Sequence, residues 1–228
     1  MVLAISGLAW LTMDILHGGP IARFDHAVAD WAWSTHIRRG NLPRKVAVYA
    51  LTRPGDRMTV AGVILPFVCW LSWRHRSLQP LLRMAVAVSL LVGTVVGYKA
   101  VVGRTGPLVD RVLVGGQSFP SGHVATAVVG WGLVAWLAAD FGLPVWFRRA
   151  SVVAVYVAPV VTATGMLLLD YHWLADLVAG AALGTLLLRV VHAIFAGRLG
   201  DWGHAGLPGV ARAGSDADAV LAGARVRG

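Results

Sequence analysis

Two short segments of this 228-residue chain hold side chains whose types and spacing suit chemistry: Phe119-Pro120-Ser121-Gly122-His123 and His172-Trp173-Leu174-Ala175-Asp176. Each opens a long apolar run. In the first, a proline and a serine just before the run mark a helix start. The first turn of a helix has unpaired N–H groups and a partial positive charge, which makes it an anion site. Gly122 lets an anion approach the backbone, Ser121 adds a hydroxyl or N–H, and His123 sits in the first turn, placed to protonate a leaving oxygen. In the second segment His172 and Asp176 are spaced i, i+4, so they share one helical face. A carboxylate beside an imidazole fixes the tautomer and leaves the far nitrogen free to attack. Upstream, Lys99 and Arg104 lie where the preceding apolar run ends, each able to hold anionic oxygens. Taken together, an imidazole nucleophile, an imidazole acid and cations around an anion site suit transfer of a phosphoryl group.

The setting for these residues is a membrane. Hydrophobic residues make up 57% of the chain and charged residues only 14%, against about 25% charged in soluble domains. The mean hydropathy is +0.68. The net charge of +9 does not imply nucleic acid: the cations fall at the ends of apolar runs and in two polar stretches, as expected beside anionic headgroups. Six candidate spans are expected, at Val2–Leu16, Met58–Trp73, Leu82–Val102, Gly122–Ala139, Ser151–Leu169 and Trp173–Ala196. They must be helices, since lipid offers no partner to an open backbone. The expected fold class is therefore all-α, a polytopic six-helix membrane bundle over residues 1–197, with a polar, disordered tail over 198–228. Small residues at Gly93, Gly97, Gly180 and Gly184 suggest close helix packing. Cys69 reads as a packed core thiol. The polar stretch Gly18–Arg57, with Asp30-Trp31-Ala32-Trp33, reads as an interfacial amphipathic segment that covers the bundle.

Counting six spans places the polar stretch, the Lys99–Pro120 stretch and the Asp170-Tyr171-His172 corner on one face of the membrane. All the chemical residues then share that face. Basic residues on the two faces nearly balance. The site-side set includes Arg53, Arg57 and Arg111, while the short loops opposite are densely basic, which leans towards an extracytoplasmic site.

In order and spacing these segments resemble the type 2 phosphatidic acid phosphatase (PAP2) family of membrane lipid phosphatases. The family's second motif is complete at Pro120-Ser121-Gly122-His123, its third keeps His172 and Asp176, and its first keeps Lys99 and Pro107. The resemblance implies a metal-independent phosphatase without a cofactor. His172 would attack phosphorus and form a phosphohistidine, Asp176 would orient it, and His123 would protonate the leaving group and then activate water. Lys99, Arg104, Ser121 and Gly122 would hold the phosphate oxygens. The substrate would be a membrane lipid phosphate: a polyisoprenyl mono- or diphosphate, phosphatidic acid or phosphatidylglycerol phosphate. Two motif arginines are absent, since Gly106 and Met166 stand in their places. Arg104 is placed to take over the first task; for the second, Arg111 and Arg53 are candidates. The loss leaves two other readings open, a lipid phosphotransferase with a non-water acceptor and a catalytically weak lipid-phosphate binder.

Overall fold

A computed structural model describes residues 2–37, 39–107 and 117–196. The sequence's expectations for the tail after 197 and for Arg111 fall outside these residues. The described chain is helical: α1 (Val2–Leu16), α2 (Pro20–Ser34), α3 (Leu42–Leu51), a short 3-10 turn (Arg53–Gly55), α4 (Arg57–His75), α5 (Gln79–Val102), α6 (Gly122–Asp140), α7 (Val145–Leu168) and α8 (Leu174–Ala196). The chain divides into a unit over Met1–His192 and another from Ala193, of which only the last turn of α8 is described. Local chemistry sets the helix ends. Asn41, Asp56 and Ser121 are N-caps whose side chains accept from the backbone N–H three residues on, and Gly103, with φ of 61°, ends α5 in the left-handed conformation.

Four helices, α5 to α8, are long and apolar enough to cross a membrane. α1 is apolar but only 15 residues long, and α4, at 19 residues, is less apolar, with a mid-helix Pro66 and a last turn carrying Arg74 and His75. α6 is the central helix: 67% of its apolar window is buried, against 17% for α5. The outer face of α7 exposes Val153, Val157 and Val160, as lipid contact requires. α4 packs on α6 through Val60, Ile64, Val68 and Leu71 against Leu133, Val134 and Leu137. At that far end of the bundle Arg83 of α5 bonds Asp140 of α6 at 2.6 Å.

The polar stretch forms two helices, α2 and α3, rather than one segment. Cys69 is exposed on α4, not packed in a core. Glycine packing also splits in two. A Cβ at Gly180 would meet the Ser121 carbonyl at 2.5 Å and one at Gly184 the Ala125 carbonyl at 3.0 Å, so α8 lies directly on α6 there; a Cβ at Gly93 or Gly97 would meet no neighbouring helix within 4 Å.

Candidate active site

The N-termini of α4, α6 and α8 and the C-terminus of α5 meet at one end of the bundle. They enclose a cavity of about 1070 Å3 lined by residues of α4, α5, α6 and the two loops that follow α5 and α7. Its polar end carries Arg57, Lys99, Gln117, Ser118, Gly122, His123 and His172. Its remainder is apolar: Val60, Ala61, Ile64 and Leu65 of α4, Met84 to Val96 along one face of α5, and Val129 and Leu133 of α6. Leu65, Val88, Val92 and Val96 on its rim are exposed, so the cavity opens sideways between α4 and α5.

The expected catalytic residues converge here. His172 lines the cavity, and its Nδ1 lies 3.3 Å from Asp176 Oδ2. Asp176 is fully buried in the first turn of α8, where the helix dipole favours its charge. The same Oδ2 accepts the Trp173 N–H at 3.1 Å, so one carboxylate both caps α8 and holds the imidazole. With Nδ1 committed to Asp176, Nε2 is the nitrogen left for the cavity. His123 lines the same cavity from the first turn of α6.

The α6 N-terminus is pinned to α8. The Ser121 N–H donates to the Asp176 carbonyl at 2.9 Å, and a Cβ at Gly180 would meet the Ser121 carbonyl at 2.5 Å. Ser121 is fully buried, and its hydroxyl accepts from the Val124 N–H at 3.5 Å. Ser121 therefore builds the site rather than lining it. Among the described residues, the N–H groups of Gly122 and His123 are the unpaired donors of the first turn. Lys99 lines the cavity and donates to the Gln117 carbonyl. Gly55 is pressed so closely against the start of α6 and against α7 that a Cβ there would run into the His123 carbonyl and Thr162 Cγ2. The adjoining Asp56, N-cap of α4, is held below the usual carboxylate range, chiefly by its bond from the Thr59 N–H.

Arg104 departs from the expectation that it binds phosphate. Its guanidinium is not part of the cavity wall. One Nη donates to Asp176 Oδ1 at 2.8 Å and the other to Asp25 Oδ2 at 2.7 Å, while the group lies 5.0 Å from the Trp173 ring centroid. Two buried carboxylates flank one cation, and that arrangement consumes its fork geometry. Asp25 is a partner of the site that spacing did not reveal. It sits on α2, only 1% exposed, and its other oxygen accepts the Ala175 N–H at 2.9 Å. Burial pushes its carboxyl above the ordinary range, opposed by the Ala175 N–H and by Arg104. α2 thus does more than cover the bundle: through Asp25 it reaches the start of α8 and, by way of Arg104, Asp176.

The missing arginines also find a structural context. Met166 is 4% exposed in an apolar cluster with Val124 and Leu177. Gly106 lines the cavity, and a Cβ there would meet the Tyr171 carbonyl at 3.1 Å. Arg53 stands outside the cavity, 3.7 Å from Asp56 and over the Tyr49 ring. Among the described residues, no three His, Cys, Asp or Glu side chains cluster as metal ligands.

No curated protein sequence matches the chain. Its fold matches the crystal structure of a transmembrane PAP2-type phosphatidylglycerolphosphate phosphatase from Bacillus subtilis, with a TM-score of 0.70, 19% identity, and coverage of 86% of this chain and 96% of that one. The family model of the PAP2 superfamily matches residues 80–199, more than half of the chain and all three motif segments. The chain belongs to the PAP2 superfamily, the membrane lipid phosphatases that its motifs resemble.

Proposed function

We propose that this protein is a metal-independent phosphatase of a membrane lipid phosphate, acting through a phosphohistidine on His172. The observation that carries the reading is the pairing of His172 with buried Asp176 at the polar end of a long apolar cavity that also holds His123 and Lys99. A phosphate head at that end and a hydrocarbon tail along α4 and α5 match a lipid in polarity and shape.

In the first step His172 Nε2 attacks phosphorus. The P–N bond forms as the P–O bond to the lipid breaks, and His123 gives its proton to the departing oxygen. Asp176 stabilises the charge that develops on the His172 ring. In the second step neutral His123 takes a proton from water, the resulting hydroxide attacks phosphorus, and the P–N bond breaks to release inorganic phosphate and restore His172. Lys99 and the free N–H groups of Gly122 and His123 bind the equatorial oxygens throughout. Arg104 serves as a positioning residue for Asp176, and Ser121 as the cap that shapes the anion site. The pairing of His172 with Asp176, on the same cavity as His123, supports turnover over a catalytically weak binder.

The proposal includes six membrane helices, with α1 and α4 crossing as well as α5 to α8, and the site on the extracytoplasmic face. The shape of the cavity does not distinguish phosphatidic acid, phosphatidylglycerol phosphate and a polyisoprenyl phosphate, so the test is a panel. Phosphate release in detergent and EDTA is expected for at least one member and lost in His172→Ala. Release that needs a divalent metal, or that survives His172→Ala, overturns the reading; transfer to an added alcohol in place of release would make the protein a phosphotransferase.

A further inference from the structure

The two arginines that the family uses at the phosphate are absent, and Arg104 is committed to Asp25 and Asp176. Lys99 would then face a dianionic phosphate with no second cation from the motif positions. A different helix supplies one. Arg57 is the first residue of α4 and lines the polar end of the cavity with Lys99, His123 and His172. We propose that Arg57 is the second phosphate-binding cation of this protein, replacing by position on α4 what the motif segments lack.

Three observations point the same way. First, a cation in the first turn of a helix sits at the positive end of the dipole, an unfavourable place unless an anion joins it. Second, Arg57 forms no side-chain hydrogen bond or ion pair among the described residues; neighbouring Asp56 is taken by Thr59 and Arg53. Third, Arg57 is close enough to Lys99 and His123 for its charge to act on both. An unpaired guanidinium, an ammonium and the free N–H groups of a second helix start thus converge on one space, and a phosphate is the partner that satisfies all of them. The bidentate geometry of a guanidinium suits two equatorial oxygens at once. Spacing does not single Arg57 out, because it stands outside every motif and shares its polar stretch with six other Arg and Lys residues.

The inference rests on the phosphatase reading, and the test separates the two. Arg57→Gln is compared with Arg57→Lys and with Arg53→Gln, which removes a nearby cation outside the cavity. Both kcat/KM for the lipid phosphate and inhibition by vanadate, a mimic of the transition state, are measured in EDTA. Arg57→Gln is expected to lower kcat/KM and to weaken vanadate inhibition, each about 10- to 100-fold. Arg57→Lys should recover part of both, and Arg53→Gln should change neither. An active wild type with kcat/KM and vanadate inhibition both within about twofold in Arg57→Gln overturns the role of Arg57 and leaves the phosphatase standing. If the wild type releases no phosphate, the thermal shift caused by vanadate decides. A shift present in the wild type and lost in Arg57→Gln supports the assignment; equal shifts, or none in the wild type, overturn it.

Discussion

Asp25→Asn separates the positioning role of α2 from its structural one. The wild-type carboxylate accepts one bond from Arg104 at 2.7 Å and one from the Ala175 N–H at 2.9 Å while almost wholly buried. An asparagine oxygen keeps one acceptor, to Ala175, and its amide turns a donor towards the guanidinium. The lost charge-assisted bond costs about 1.5–3 kcal/mol. Against this, the neutral side chain no longer suffers the desolvation that raises the Asp25 pKa, so the two changes partly cancel. Stability is expected to stay within about 1.5 kcal/mol of wild type by thermal unfolding in detergent. Catalysis has no such compensation. With Asp25 neutral, Arg104 turns wholly to Asp176, drawing charge from the carboxylate that must support the His172 ring. Loss of about 1.4 kcal/mol of transition-state stabilisation lowers kcat about tenfold, with KM little changed. The pH profile gives a second readout. The raised Asp25 pKa means that its proton returns at a higher pH than for an exposed aspartate, and the Arg104 bond weakens there. The wild-type acid limb should therefore include this titration and the Asp25→Asn limb should lack it. For stability the sign is opposite: ionised Asp25 costs stability above its folded pKa, and acidification through that pKa relieves it. Unchanged kcat and an unchanged acid limb in folded Asp25→Asn would refute the idea that α2 positions the catalytic carboxylate.

Other outcomes follow from the packing. Val92→Trp places a large ring in the apolar cavity and should raise KM for long-chain lipid phosphates several-fold, while leaving hydrolysis of a short, water-soluble phosphate ester near wild type. Gly55→Ala drives a methyl into the His123 carbonyl and Thr162, and should cost about 1–3 kcal/mol in thermal stability along with a fall in kcat. Restoring the motif arginines should give opposite results: Met166→Arg buries a guanidinium among Val124 and Leu177 and prevents accumulation of folded protein, whereas Gly106→Arg needs only a small shift at Tyr171 and yields a folded protein with tighter vanadate inhibition.

The helix layout was legible because apolar runs and their caps are local. Gly122–Ala139 became Gly122–Asp140, and Val2–Leu16 matched α1 to the residue. The convergence of Lys99, His123 and His172 was legible because each sits at the end of a run and the runs alternate in direction. Side-chain partnerships were not. Asp25 lies 79 residues before Arg104 and 150 before Ala175, so no spacing rule connects them, and an aspartate in an amphipathic helix reads as a solvated face. The partners of Arg104 are hidden for the same reason: a cation near a phosphate motif reads as a phosphate ligand until its bonds to Asp25 and Asp176 are seen. Cys69 and the Gly93–Gly97 pair show the converse limit. In a membrane both faces of a helix are apolar, so composition does not tell lipid contact from core.

The central claim is a covalent phosphohistidine on His172. Rapid-quench labelling with a lipid phosphate radiolabelled in its phosphoryl group tests it directly, using the panel member that wild type turns over in EDTA. The expected result is a protein-bound, acid-labile and base-stable label that appears before steady-state release and is absent from His172→Ala. Turnover by wild type with no such label, or the same label on His172→Ala, would contradict the account.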